Sequence, residues 1–270
     1  MNAAFDVGAD DGFHGILFAF INPKIKVFAF EPMRGSKKII LGNLKKTEKF
    51  FGIKIHNYRL INGAVSDYNG FATFYEAEYK VASSLLKPRK KLDKFWTKSE
   101  DLLIKTVTKG LKTKKKYKVK VITLEKFCKE NSIKIINYLH IDAQGNDIRV
   151  IKSLKKFRKC LIEGVAEVPK SERLKIYNKE HSFKFLKKKF NDWRFEITKI
   201  EEVQKNYPSL NIYFKTNIID TNVQNKIKFY HPTKRFERMF KRIFIGKISI
   251  KDILFLYFWK FKKNFIYNLF

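Results

Sequence analysis

The feature that most constrains this chain is the alternation of short apolar runs with segments of helical length over its first two thirds. That pattern builds a parallel sheet covered on both faces. Ala3 to Val7 and Lys26 to Glu31 read as the first two buried strands, and Gly12 to Phe20 and Gly35 to Lys46 as the helices that follow them. Ile53 to Val65 is expected to hold a third strand, and the Asn69-Gly70 turn with Phe71, Thr73 and Tyr75 an antiparallel excursion. The Lys-rich stretch from Lys87 to Lys118 reads as a solvated lid or insertion. Order returns with a strand Lys118 to Ile122, a helix Leu124 to Glu130, a strand Ile136 to Asp142, a helix Asn146 to Lys156 and a strand Leu161 to Val168. Phe195 to Val203 and Leu210 to Lys215 form a terminal antiparallel hairpin. The expectation is a doubly wound α/β domain over residues 1–216 and an extension over 217–270.

A chain with 44% hydrophobic and 16% aromatic residues does not fit disorder by low hydrophobicity, despite 31% charged residues. Its 58 basic and 26 acidic residues give a net charge of +32, which favours anionic partners such as nucleic acid, anionic lipid or acidic glycans. Lys, Asn, Ile and Phe share A/T-rich codons, so charge by itself names no partner. Cys128 and Cys160 lie far apart outside any CxxC pattern, which excludes a disulfide framework and a thiolate metal site and fits a reducing compartment. The opening residues lack the basic and apolar regions of a secretory leader, and no apolar run reaches the roughly 18 residues of a membrane span. A cytoplasmic protein, at most peripheral at a membrane, is expected.

The chemistry concentrates at two strand-to-helix junctions. In Phe5-Asp6-Val7-Gly8-Ala9-Asp10-Asp11-Gly12 the glycines let a ligand approach the main chain, where backbone amides and a helix dipole face the crevice. Glu31 ends the second strand, where a carboxylate accepts both hydrogen bonds of a ribose diol. The spacing Gly8-x-x-x-Gly12 departs from the G-x-G-x-x-G of dinucleotide enzymes, and Asp10 and Asp11 would repel a pyrophosphate. A cofactor bearing a sulfonium and an ammonium, S-adenosylmethionine, suits acids at Asp6 and Asp10. The second junction is Leu139-His140-Ile141-Asp142-Ala143-Gln144-Gly145-Asn146-Asp147. A parallel sheet brings Asp142 beside Asp6 and Glu31. Asp142 is a candidate to hold the cofactor's ammonium or orient an acceptor hydroxyl, and Asp147 or His140 to take the acceptor's proton. The competing readings are a helix N-cap for Asn146 or Asp147 and a packed core histidine for His140, the latter preferred. His14, His56, His140, His181 and His231 show no metal-ligand rhythm, so no metal is expected. No [DN]-P-P-[YF] follows the fourth strand, which argues against a base N-methyltransferase.

Taken in order, these segments resemble the FkbM family of methyltransferases. Asp6-Val7-Gly8-Ala9-Asp10-Asp11-Gly12 looks like its D-V-G-A-N-x-G motif, with Asp10 where Asn is usual, and Phe30-Glu31-Pro32 like its F-E-P. Asn62 to Gly70 is similar to its N-x-A-[VL]-x-D-x-x-G segment, Ser83-Ser84-Leu85 and Ile122-Thr123-Leu124 to two connecting signatures, and Ile141 to Asp147 to I-D-[VTA]-[EQ]-G-x-[ED]. The resemblance runs from about Ala3 to Lys215, though no helix precedes the first strand. It implies a Rossmann-like fold, S-adenosylmethionine as cofactor and O-methylation of a sugar, glycan or small metabolite. It also implies a cofactor site of Asp6, Gly8, Ala9, Asp10, Gly12, Glu31 and Pro32, with Ala64 and Ser66 near the adenine and Asp142 at the reacting end.

From Pro232 onward the chain turns basic and aromatic. Phe236, Met239, Phe240, Ile243 and Phe244 recur at helical spacing between Arg235, Arg238, Lys241 and Arg242, and Ile253 to Trp259 adds an apolar run before Lys260, Lys262 and Lys263. Residues 232–270 therefore suit either peripheral contact with an anionic membrane or, the preferred reading, packing against the domain or a partner subunit. An RNA-directed methyltransferase, drawing on the net charge, and a noncatalytic basic membrane or nucleic-acid binding module are the alternatives to a small-molecule enzyme. The oligomeric state is left open.

Overall fold

The computed structural model describes residues 1–205, 207–217, 227–247 and the single positions 249, 252 and 254. In chain order the elements are β1 (Asn2–Val7), α1 (Phe13–Ile21), β2 (Lys26–Phe30), α2 (Ser36–Phe51), β3 (Tyr58–Ile61), β4 (Ala64–Val65), β5 (Gly70–Ala77), α3 (Lys94–Lys98), α4 (Leu102–Gly110), β6 (Thr113–Ile122), α5 (Leu124–Glu130), β7 (Ile135–Ile141), α6 (Asp147–Ser153), β8 (Leu161–Pro169), α7 (Phe183–Trp193), β9 (Phe195–Glu202), β10 (Ser209–Thr216) and α8 (Lys234–Ile245). Seven strands form one sheet in the order β3-β2-β1-β7-β8-β10-β9. The first five run parallel, and β10 is antiparallel to both of its neighbours. The order reverses between β1 and β7, which opens a crevice above their carboxyl ends.

Period-two alternation divides the side chains between the two faces of this sheet. Phe5, Val7, Leu139 and Ile141 point into one core with residues of α5, α6 and α7. Ala4 and Tyr138 point into the other, with α1, α2 and α8. In register, Asp6 pairs with His140, so the polar ends of β1 and β7 fall on this second face.

Three expectations are revised. The single third strand over 53–65 is two: β3 joins the main sheet, and β4 joins a small second sheet ordered β4-β6-β5. The segment 87–118 is not a solvated loop. Trp96, Ile104, Val107 and Leu111 are buried among Leu86, Ile176 and Tyr177, and Trp96 Nε1 donates to the Leu174 carbonyl at 2.8 Å. Asp93 and Asp101 cap α3 and α4 through backbone amides of Phe95, Leu103 and Ile104. The helix expected over 146–156 stops at Ser153 and continues as a 3-10 turn over Lys155–Cys160. Helix α7, absent from the sequence reading, packs Leu186 and Phe190 beneath the hairpin.

The extension folds back on the domain. Phe236, Met239, Phe240 and Ile243 are buried with α1 and α2, and Phe240 meets Phe13, Phe20 and Phe51. The approach to α8 is clamped by Asn22, whose Oδ1 accepts from Tyr230 N at 2.7 Å, and by Asn137, whose Nδ2 donates to the Ile227 carbonyl at 3.1 Å. The apolar stripe of α8 is thus spent on the domain. The side chain of Phe244 and, apart from Leu254, the run 253–259 lie outside the described residues. Among the described residues no helix is long and apolar enough to cross a membrane.

Candidate active site

The loop after β1 crosses the top of the sheet in close contact with the loop after β7. Gly8 has φ +85, and a Cβ there would stand 1.8 Å from the Asp142 carbonyl oxygen, so only glycine fits. Asp10 follows at φ 48 and Gln144 in the facing loop at φ 49, the left-handed region that Asp and Asn tolerate better than most residues. Asp in place of the family's Asn thus preserves the backbone. Amides of Gly8 and Ala9 donate to the Phe30 carbonyl at 3.0 and 3.1 Å, tying this loop to the end of β2.

Beside that tie stands Glu31. Its Oε2 accepts from Asp10 N at 2.8 Å and its Oε1 from Met33 N at 2.7 Å. Burial pushes its carboxyl up to about 7, more than the two amides pull it down. An ionised carboxylate has a second acceptor site on each oxygen beyond these amides. A cavity opens here, walled by Gly8, Asp10, Glu31, Pro32, Ala64 and Asp142, with apolar sides from Phe30, Met33, Val65, Phe74 and Leu85. Six of the sequence-derived cofactor residues therefore meet around one space.

The other four stand behind it. Ala9 and Gly12 are buried backbone supports, and Gly12 rests against Ile40. Ser66 is buried and donates from Oγ to Asn146 Oδ1 at 3.3 Å. Asp6 turns to the α1 face, where Oδ2 accepts from Gly15 N at 2.8 Å and Oδ1 lies 2.9 Å from His140 Nδ1. Burial alone would raise the Asp6 carboxyl, but the hydrogen bond and charge of His140 hold it below its ordinary range. Of the three acids expected together, Glu31 and Asp142 line the cavity and Asp6 does not; the third acid there is Asp10.

Asp142 walls a second, wider hollow as well, over the uncovered part of β7, β8 and β10. Tyr138, His140, Glu163, Glu167, Asn211, Tyr213, His231 and Glu237 face it. His140 is largely buried, its side chain 15% exposed, with its ring against those of His14 and Phe18. Asp147 reaches neither space: its carboxylate accepts from the amides of Ala143, Gly145 and Glu167 at 3.4, 3.1 and 3.4 Å and holds the loop. Burial pushes its carboxyl well up, helped by the charges of Asp142 and Glu167. Asn146 is likewise occupied, its Nδ2 donating to the Val65 carbonyl at 2.8 Å. The sequence reading missed Lys80, Val81, Ser83 and Ser84, which close the first cavity from the segment that follows β5. Ser84 Oγ donates to the Gln144 carbonyl at 2.7 Å, and the Ser83-Ser84-Leu85 match was the signal that marked this wall.

Strand order, reversal point and glycine loop define a Rossmann-like α/β fold. The family model described as "Methyltransferase FkbM domain" matches residues 6–172, well over half the chain, and the chain belongs to that family. A search of curated proteins finds no significant match. Similar solved structures include TrmK of M. capricolum in complex with S-adenosyl-homocysteine, with 13% identity, TM-score 0.43, and 87% of this chain and 67% of that one covered. An FkbM methyltransferase from Methylobacillus flagellatus KT shows 10% identity and TM-score 0.45, over 79% of this chain and 43% of that one. The METTL16 methyltransferase domain shows 11% identity and TM-score 0.43, over 81% and 60%. The chain thus spans less than half the length of the FkbM structure it resembles.

Proposed function

We propose that the chain transfers a methyl group from S-adenosylmethionine to a hydroxyl of a sugar, glycan or other small polar acceptor. The observation that carries this reading is Asp142, the residue shared by the cavity around Glu31 and the wider hollow. A bisubstrate reaction needs such a junction, with the two substrates entering from opposite sides of one group. The donor set of the first cavity fits the cofactor. Glu31 has two lone pairs for a ribose diol, apolar side chains flank it for an adenine, and Asp10 and Asp142 supply negative charge for a cationic ligand. S-adenosylmethionine supplies a methyl group on a sulfonium, an electrophile that needs in-line approach rather than acid activation.

The chain's own part is positioning. Asp142 is held by Gln144, whose Nε2 donates to Oδ1 at 2.6 Å, and from there it orients an acceptor hydroxyl and takes its proton as the oxygen–methyl bond forms and the methyl–sulfur bond breaks, leaving S-adenosylhomocysteine. The hollow beyond it mixes Glu167, Asn211 and His231 with the rings of Tyr138 and Tyr213, a lining suited to a polyhydroxylated acceptor. The test is transfer of label from methyl-labelled S-adenosylmethionine into cell extract. Label in small polar or glycan fractions, lost with Asp142→Asn, supports the reading. Label in RNA supports the nucleic-acid alternative, and no label above the Asp142→Asn background overturns both.

A further inference from the structure

Two of the five histidines, separated widely in the sequence, meet in the fold. The rings of His14 on α1 and His140 on β7 lie with centroids 4.2 Å apart. A carboxylate stands at each end of the pair: Asp6 Oδ1 is 2.9 Å from His140 Nδ1, and Glu237 Oε1 of α8 is 3.6 Å from His14 Nε2. One ligand atom each from Asp6, His14 and His140 lie within 4.8 Å of one another. Around a tetrahedral zinc ion, with bonds of about 2.0–2.2 Å, ligand atoms stand about 3.4 Å apart. The Asp6–His140 pair, at 2.9 Å, stands about 0.5 Å inside that spacing, so an ion would replace their hydrogen bond after a small outward shift. His14 already stands against His140 and its side chain is 41% exposed, so a rotation of its ring rather than a rebuilt core brings a nitrogen toward the pair.

Two further features separate this cluster from an ordinary buried ion pair. The second oxygen of Asp6 is fixed by Gly15 N at 2.8 Å, the outer-shell restraint that orients metal-binding carboxylates. The hollow onto which the cluster opens is lined by five carboxylates (Asp142, Glu163, Glu167, Glu201 and Glu237) against two lysines (Lys199 and Lys234). In a chain carrying 58 basic and 26 acidic residues that local balance is inverted, and its field draws cations.

We propose that Asp6, His14 and His140 form a binding site for a divalent transition-metal ion of the zinc or cobalt type. Two imidazoles and one carboxylate are the ligand set such ions take when coordination positions are left open for a substrate oxygen. The site stands on its own geometry. Its bearing on catalysis rests on the methyltransferase reading, in which an ion beside Asp142 would hold and polarise the acceptor oxygen.

The test is titration of chelator-treated full-length protein with Co2+, followed by its visible absorption bands, and with Zn2+ by calorimetry, with Mg2+ in parallel. The expected result is one saturable equivalent of Co2+ or Zn2+ and no comparable Mg2+ binding. His14→Ala and His140→Ala should each weaken binding by about tenfold or more, on the scale seen when metal sites lose a supporting group. His231→Ala, which removes an imidazole from the same hollow but outside the cluster, should leave affinity unchanged. Circular dichroism checks each fold, and His14→Ala alone decides the matter if His140→Ala misfolds. No saturable binding, binding unchanged in His14→Ala, or equal loss in His231→Ala overturns the proposal. S-adenosylhomocysteine binding to the same metal-free protein is measured separately, so failure of the metal site and failure of the methyltransferase reading give different results.

Discussion

Glu31 gives the sharpest prediction because its ionisation and its proposed ligand compete for the same two oxygens. Burial raises its carboxyl to about 7, above the ordinary 4.5. Only the ionised form accepts from both hydroxyls of a ribose while Asp10 N and Met33 N also donate to it. Affinity for S-adenosylhomocysteine should therefore be flat above pH 7 and fall about tenfold per pH unit below it, as binding must expel one proton. Glu31→Ala removes two hydrogen bonds to a charged acceptor, each worth about 1.5–3 kcal/mol, so roughly 3 kcal/mol or more is lost. That is roughly a hundredfold or more in Kd. The variant should also lose the pH dependence. The same shift has a consequence without ligand: the folded chain retains a proton that the unfolded chain releases, so this group's contribution to stability is greatest below pH 4.5 and is lost as pH rises to about 7. Calorimetric titration on either side of pH 7, with wild type and Glu31→Ala, reads the affinity and its pH dependence, and urea unfolding at pH 4.5 and pH 7 reads the stability. Equal affinities for the two proteins, or a wild-type affinity indifferent to pH, would refute the assignment of the ribose to Glu31.

Three other perturbations probe the frame around the site. Phe240→Ala removes a fully buried ring between Phe13, Phe20 and Phe51 and should cost about 3–5 kcal/mol in denaturant unfolding if α8 is part of the core. An effect under about 1 kcal/mol would mean that the helix is loosely attached. Gly8→Ala places a methyl 1.8 Å from the Asp142 carbonyl oxygen at φ +85, so it should cost at least about 2 kcal/mol in thermal unfolding and abolish S-adenosylhomocysteine binding. Trp96→Phe leaves the Leu174 carbonyl without its buried donor and should cost about 1–3 kcal/mol by urea titration, whereas a solvated 87–118 segment would register almost nothing.

Much of the fold was legible because each buried strand is a short apolar run closed by a polar junction. Phe5-Asp6-Val7-Gly8 and His140-Ile141-Asp142 mark the two facing strand ends directly. The direction of Asp6 was legible too, though it went unread. Phe5 and Val7 point into one core, so Asp6 must share the opposite face with Ala4, away from the cavity that Gly8 borders. His140 holds the same place in β7, two residues before Asp142, and parallel register makes the two meet. Other parts were hidden for physical reasons. Lysines between Trp96, Ile104, Val107 and Leu111 masked a buried face that recurs at helical spacing. The approach of His14 to His140 depends on how α1 lies over the sheet, a tertiary fact that no spacing encodes. The docking of α8 turns on aromatic contacts with α1 and α2 that pattern alone cannot distinguish from a membrane-facing stripe.

The most direct test of the account is a crystal structure of the protein soaked with S-adenosylhomocysteine. The ribose diol should lie on the Glu31 carboxylate, the adenine beside Met33 and Ala64, and the sulfur at the Asp142 side, facing the hollow of His140. Density for the ligand away from Glu31 and Asp142, or a saturated crystal with none in that cavity, would contradict it.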